Sequence, residues 1–155
     1  MSRILERIAA AQPYWASYWA GRAPMLTAAI PKDPAHPVKK PAIGITWKTD
    51  LDALARDLLR WEESNEFLGG ALPFYCVYLF DNYSLVGSFL GGQVEECGDS
   101  HRMIPFVTDL DAAKLVYNPD APVAARLKRI VAQLRERCGD RILISASSIG
   151  GKALR

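Results

Sequence analysis

The chain has 155 residues, half of them hydrophobic and 23% charged, with a net charge of +2. That length allows one domain with a sizeable core, and the composition excludes wholesale disorder. The near-balanced charge gives no electrostatic case for nucleic acid or an acidic membrane as partner.

Cys76, Cys97 and Cys138 form an odd set without CxxC spacing, which predicts reduced thiols in a cytoplasmic protein. The N-terminal stretch MSRILERIAAAQPYWASYWAGR repeats Ile4, Leu5, Ile8, Ala11, Trp15 and Trp19 at helical spacing, so a helix is predicted from Ser2 to about Ala20. Pro13 is expected to split it, because an internal proline removes a hydrogen bond and crowds the preceding turn. Arg3, Glu6 and Arg7 interrupt its apolar residues, so neither a secretory leader nor a membrane span is expected.

Beyond Gly21, the run PMLTAAIP reads as a short strand bounded by prolines. Four prolines between Pro31 and Pro41 then impose an extended loop. Thr49 or Asp50 caps a second helix, DLDALARDLLRWEESNEFLGG, with Leu51, Leu54, Ala55, Leu58 and Leu59 as its apolar stripe and Gly69-Gly70 as its stop. The run PFYCVYLF, Pro73 to Phe80, is apolar throughout, which predicts a strand buried on both faces. A short helix is expected from Ser84 to Leu90.

The segment from Gln93 to Asp120 reads as irregular, with brief strands around Val94 and from Met103 to Val107. Pro122 then opens a long helix whose buried stripe is Val123, Leu127, Ile130 or Val131, Leu134 and Cys138. Its basic residues, among them Arg126, Lys128 and Arg129, fall mostly on the other face and read as solvated. Gly139 closes this helix, and RILISASS, Arg141 to Ser148, follows as a buried parallel strand. Such a strand needs neighbours on both edges, so the chain is expected to be the front part of a larger α/β domain, or a protomer completed by another chain. An uncovered edge at this strand would favour self-association into a homo-oligomer.

Two strands joined by a crossover form a βαβ unit, whose repetition gives either a doubly wound sheet or a (β/α)8 barrel. Neither GxGxxG nor GxxxxGK[ST] follows either strand, which removes the main support for nucleotide binding. In parallel α/β folds, ligand meets the residues at the C-terminal ends of strands. These are Asp81, Asn82 and Tyr83 after the first strand, and Ser147 and Ser148 after the second. Asp81 is the candidate catalytic residue, as general base or ligand anchor, and the other four are candidate ligand-binding residues. His101, in GDSHRM, is a further candidate for reaching the site. Its only companion histidine is His36, and no Cys, Asp or Glu repeats around either at metal-ligand spacing, so no metal site is expected.

The run FLGGALPFYCVYLFDNYSLVGSFLGGQVEE resembles the beginning of the barrel in uroporphyrinogen decarboxylase-like proteins. IPFVTDLDAAKLVYNPDAP and GDRILISASSIGG resemble two later segments of that group. Trp19, Gly21-Arg22 and Pro24 to Lys32 resemble its N-terminal approach. The resemblance implies the front portion of a (β/α)8 barrel, residues 49–155 giving its first βα units and residues 1–48 a helical and extended preface. It implies a carboxy-lyase acting on a carboxylated or tetrapyrrole-like small molecule, with no metal or organic cofactor. An alternative within that resemblance is a methyltransferase-related member of the superfamily; the competing reading, from another class, is a catalytically silent fragment or binding module. Three departures are plain. Ala20-Gly21-Arg22 follows a helix, whereas the decarboxylases place Gln-Ala-Gly-Arg after their first strand. Ser148 stands where an aspartate is expected before Gly-Gly, and Asp81-Asn82 where relatives show Asn-Phe-Gly. Arg22 and Arg102 are the arginines whose loop positions suit contact with a carboxylate.

Overall fold

A computed structural model describes residues 2–46, 48–79, 82–97 and 100–146, with the backbone alone for 82–84, 96, 100 and 101. Helix α1 spans Arg3–Trp19 and passes through Pro13 unbroken. Pro13 and Ala9, whose carbonyl the missing N–H would have met, are both exposed, so the lost bond falls on the solvent side of the helix. Strand β1 (Thr27–Pro31) and the two-residue strand β2 (Gly44–Ile45) flank the proline-rich loop. Asp50 caps helix α2 (Leu51–Glu63) by accepting the N–H groups of Asp52 and Ala53 at 2.9 and 3.0 Å.

The second helix is shorter than its pattern predicts. It stops at Glu63, and Asn65–Gly69 forms strand β3, antiparallel to β1 with Thr27 opposite Gly69 and Pro31 opposite Asn65. Gly69 makes the exit possible. Its φ is +62°, and a Cβ there would lie 2.2 Å from the Leu26 carbonyl oxygen, which also accepts the N–H of Gly70.

Strand β4 (Phe74–Leu79) is central in a parallel sheet, with β2 on one side and β7 (Leu143–Ala146) on the other. The chain is therefore mixed α/β with a parallel sheet. Helix α3 (Asn82–Phe89) follows β4. The segment expected to be irregular contains a regular hairpin, β5 (Gln93–Cys97) against β6 (Ser100–Ile104). Helix α4 (Pro122–Cys138) buries Val123, Leu127, Ile130, Val131, Leu134 and Cys138, the stripe its spacing predicts. Gly139, at φ +58°, closes it with its N–H on the Arg135 carbonyl at 2.9 Å.

The core lies between this sheet and the paired helices α2 and α4. Tyr75, Val77 and Leu79 of β4, with Ile45 and Ile144 beside them, are buried against Leu54, Leu58, Leu127 and Leu134. The alternate residues differ: Phe74 is 40% exposed and Cys76 and Tyr78 are half-buried. The expectation of burial on both faces is thus corrected. Helices cover one face, while Phe74, Cys76, Tyr78, Leu143 and Ser145 occupy the other, a more open one. The outer side of β7 is not bare. Arg135 gives Nε–H and Nη2–H to the Ile144 carbonyl at 3.1 and 3.0 Å, satisfying an acceptor that faces away from β4. Among the described residues, no helix is long and apolar enough to cross a membrane.

Glu62, at the end of α2, is fully buried among three guanidinium groups. Oε1 meets Arg7 at 2.6 Å and Arg3 at 3.2 Å, and Oε2 meets Arg141 at 2.5 Å. A carboxylate removed from water is costly unless its lone pairs are met by cations and donors. Here they are, and α1, α2 and the approach to β7 are joined by it. Glu62→Gln keeps the shape and removes the charge, leaving the arginines facing each other. It should lower the unfolding free energy by about 3 kcal/mol in urea titrations, with loss of α1 protection in amide exchange. A loss below about 0.5 kcal/mol would show the cluster to be incidental.

Candidate functional site

At the C-terminal ends of the parallel strands, local sequence uses most polar groups for turn closure. Thr46 follows β2; its N–H donates to Thr49 Oγ1 at 2.9 Å and its own Oγ1 accepts the Lys48 N–H at 3.2 Å. The Asp50 carboxyl is held below its ordinary range by the hydrogen bonds from Ala53 and Asp52 that cap α2. Asp81, Ser147 and Ser148 lie outside the described residues. Asn82 and Tyr83 open α3 directly beyond β4, so their backbone stands at this end of the sheet.

His101 lies in strand β6 opposite Glu96. The β5–β6 hairpin rests on α3 through Met103, whose side chain fills the space that a Cβ at Gly87 or Gly92 would need. Arg102 is spent on Glu95 of the same hairpin. Arg22 is exposed in the turn after α1, its N–H on the Ser17 carbonyl at 3.0 Å. Between α3 and the start of α4 lies a cleft of about 550 Å³ lined by Ser88, Gly92, Gln93, Asn118, Val123 and Arg126 among others.

The opposite ends of the strands hold a second cleft, of about 540 Å³, lined by Trp15, Lys40, Trp61, Phe67, Phe74 and Leu143 among others. Trp15 Nε1–H donates to the Gly70 carbonyl at 3.0 Å, and Trp61 meets Phe67 edge-on at 5.3 Å between ring centres. The Lys40 ammonium lies 5.1 Å from the Trp61 ring centre and 5.7 Å from that of Phe74. Partial desolvation lowers its pKa, and a charge on nearby Cys76 would oppose that shift.

The sequence reading passed over Lys40, because nothing local separates it from Lys39. It passed over Glu62 too, although a signal was present: Glu62 is four residues beyond Leu58 and eight beyond Leu54, on the apolar stripe itself. Among the described residues, no three His, Cys, Asp or Glu side chains are grouped to hold a metal ion. The cysteines are free thiols: Cys97 is exposed, Cys76 half-buried, and Cys138 buried with its pKa raised by desolvation.

Comparison with protein-family models, with curated proteins and with solved structures finds no match for this chain.

Tyr75 ties the segment before β2 to the sheet. It is fully buried, and its hydroxyl donates to the Ala42 carbonyl at 2.7 Å. Burial, aided by the charge that Cys76 can acquire, pushes its pKa up to about 12 from 10.0. The folded state therefore keeps a proton that the unfolded chain gives up near pH 10. Its contribution is fully present below pH 10 and lost as pH rises towards 12. Denaturation midpoints should accordingly fall between pH 10 and 12 more steeply than in Tyr75→Phe. At neutral pH that variant should be less stable by about 1 kcal/mol, since Ala42 loses its donor. Parallel pH curves for the two proteins would remove Tyr75 from this role.

Proposed function

We propose that this chain forms the front portion of a (β/α)8 barrel of the uroporphyrinogen decarboxylase-like kind, whose reaction is loss of carbon dioxide from a carboxylated, tetrapyrrole-like ligand. The observation that carries the reading is the parallel order β2-β4-β7, with α2 and α4 on one face and a half-open, largely apolar face opposite. In a closed barrel the helix-covered face is the outer one and the open face turns inward. A cleft of about 340 Å³ beside β7, lined by Phe89, Tyr117, Leu127, Val131, Arg135 and Ala146 among others, suits the packing of a further βα unit. The segments that carry the family resemblance fall on β3–β4 and α3, on the connection into α4, and on β7.

In this reading Asp81 follows β4 at the mouth, where a carboxylate accepts a hydrogen bond or proton from the ligand. Asn82, Tyr83, Ser147 and Ser148 are the residues proposed to orient the ligand, with His101 as a further candidate. The barrel's role is to bind the ligand's carboxylates and to stabilise charge as the carbon–carbon bond breaks.

The full-length protein should release carbon dioxide from a carboxylate-bearing porphyrinogen under anaerobic conditions, read by mass spectrometry of the product. Asp81→Asn, which removes the charge with little change of side-chain size, should reduce turnover or affinity by about tenfold, or about 1.4 kcal/mol, with the melting temperature little altered. Saturable binding without turnover would favour the silent binding module, and absence of both would overturn the reading. Unchanged activity in Asp81→Asn would remove that residue from the site.

A further inference from the structure

The cations in the ion pairs of this fold have carboxylates close by: Arg3, Arg7 and Arg141 share Glu62, Arg137 meets Asp52, and Arg102 meets Glu95. Lys40 makes a different set of contacts. Its ammonium stands over the faces of Trp61 and Phe74, and no carboxylate among the described residues lies within ion-pair distance. The residue remains exposed, so an arriving ligand can reach the charge. Both rings, together with Trp15 and Phe67, line the same cleft of about 540 Å³, a size suited to a small organic molecule. Flat aromatic walls favour a flat ligand, which stacks or meets them edge-on. One ammonium at a mostly apolar wall favours a single negative charge, whose arrival restores a counter-charge that the described residues do not supply.

We propose that this cleft, at the N-terminal ends of the parallel strands, is a binding site for a flat aromatic or conjugated carboxylate, with its ring among Trp15, Phe67 and Phe74 and its carboxylate on Lys40. The site lies at the opposite ends of the strands from the proposed decarboxylation site, so the two proposals stand or fall separately. Trp15, Phe67 and Phe74 supply the accessible ring surface, Trp61 being buried behind the Lys40 ammonium, and Lys40 supplies the preference for an anion. The Trp15–Gly70 hydrogen bond fixes one wall by tying α1 to the turn after β3.

Calorimetric titration of the full chain with 2-naphthoate, using uncharged 2-naphthamide as the control of equal shape, tests the assignment. Saturable one-to-one binding of the naphthoate is expected, with the amide weaker by about tenfold. Lys40→Met, which keeps an apolar stem, should weaken naphthoate binding by about tenfold or more, while Lys40→Arg should retain it within about threefold. Failure of naphthoate to saturate at millimolar concentration would overturn the proposal, as would equal binding of acid and amide or unchanged affinity in Lys40→Met. If Lys40→Met proves unfolded by circular dichroism, the acid–amide comparison on the unaltered protein and the Lys40→Arg variant still decide the question.

Discussion

A fully buried carboxylate holds one end of this molecule together. Glu62 is set on the apolar stripe of α2, where burial of an unpaired charge would be prohibitive, and three arginines from two other parts of the chain meet it there. Helix α1 depends on this arrangement because it has little hydrophobic anchorage of its own. Ala11 is its buried residue, while Leu5, Tyr14, Tyr18 and Trp19 remain exposed. Polar contacts replace the missing apolar ones: Arg3 and Arg7 on Glu62, the Arg3 N–H on Asp140 at 2.8 Å, and Trp15 on Gly70. Arg7 also stands 5.2 Å from the centre of the Phe67 ring, which offers its π face to a guanidinium whose Nη1 has no hydrogen-bond partner among the described residues.

The parallel sheet is asymmetric, and that asymmetry organises everything above and below it. Alternation along β4 sends Tyr75, Val77 and Leu79 into the helices and leaves Phe74, Cys76 and Tyr78 on the opposite side. The helical side is a conventional packed core, in which burial of each large aliphatic side chain contributes roughly 2 kcal/mol. The other side is apolar but incompletely covered, and it meets Lys40 at one end. Arg135 partly satisfies the outer side of β7, which makes that strand less adhesive than its sequence alone implies.

The two ends of the sheet therefore have different chemistry. At the C-terminal ends, turn and cap hydrogen bonds occupy Thr46, Thr49 and Asp50, and the residues proposed for catalysis follow the strands themselves. At the N-terminal ends, the Lys40 ammonium stands over the Trp61 and Phe74 rings. A carboxylated ligand is the common element of both proposals, but the supporting groups differ: strand-end polar residues in one case, stacked rings and a partly desolvated lysine in the other.

Much of the scaffold was legible in the sequence because it rests on local periodicity. The stripe of α4, the Asp50 cap, the Gly139 stop and the strand character of Phe74–Leu79 and Leu143–Ala146 follow from spacing and backbone preference, which neighbours only reinforce. Three features needed the tertiary structure. The segment Asn65–Gly69 continues the composition of a helix, yet pairing with β1 offers its backbone a full antiparallel ladder and overrides that tendency. The continuous apolarity of β4 says nothing about which face a helix covers, because burial depends on elements far along the chain. The partners of Glu62 and the aromatic bed of Lys40 are brought together across 21 to 79 residues, from Lys40 and Trp61 to Glu62 and Arg141. Local periodicity sets the regular elements, while long-range packing decides which charges are buried, which are neutralised, and that Lys40 stands beside aromatic rings at a cleft.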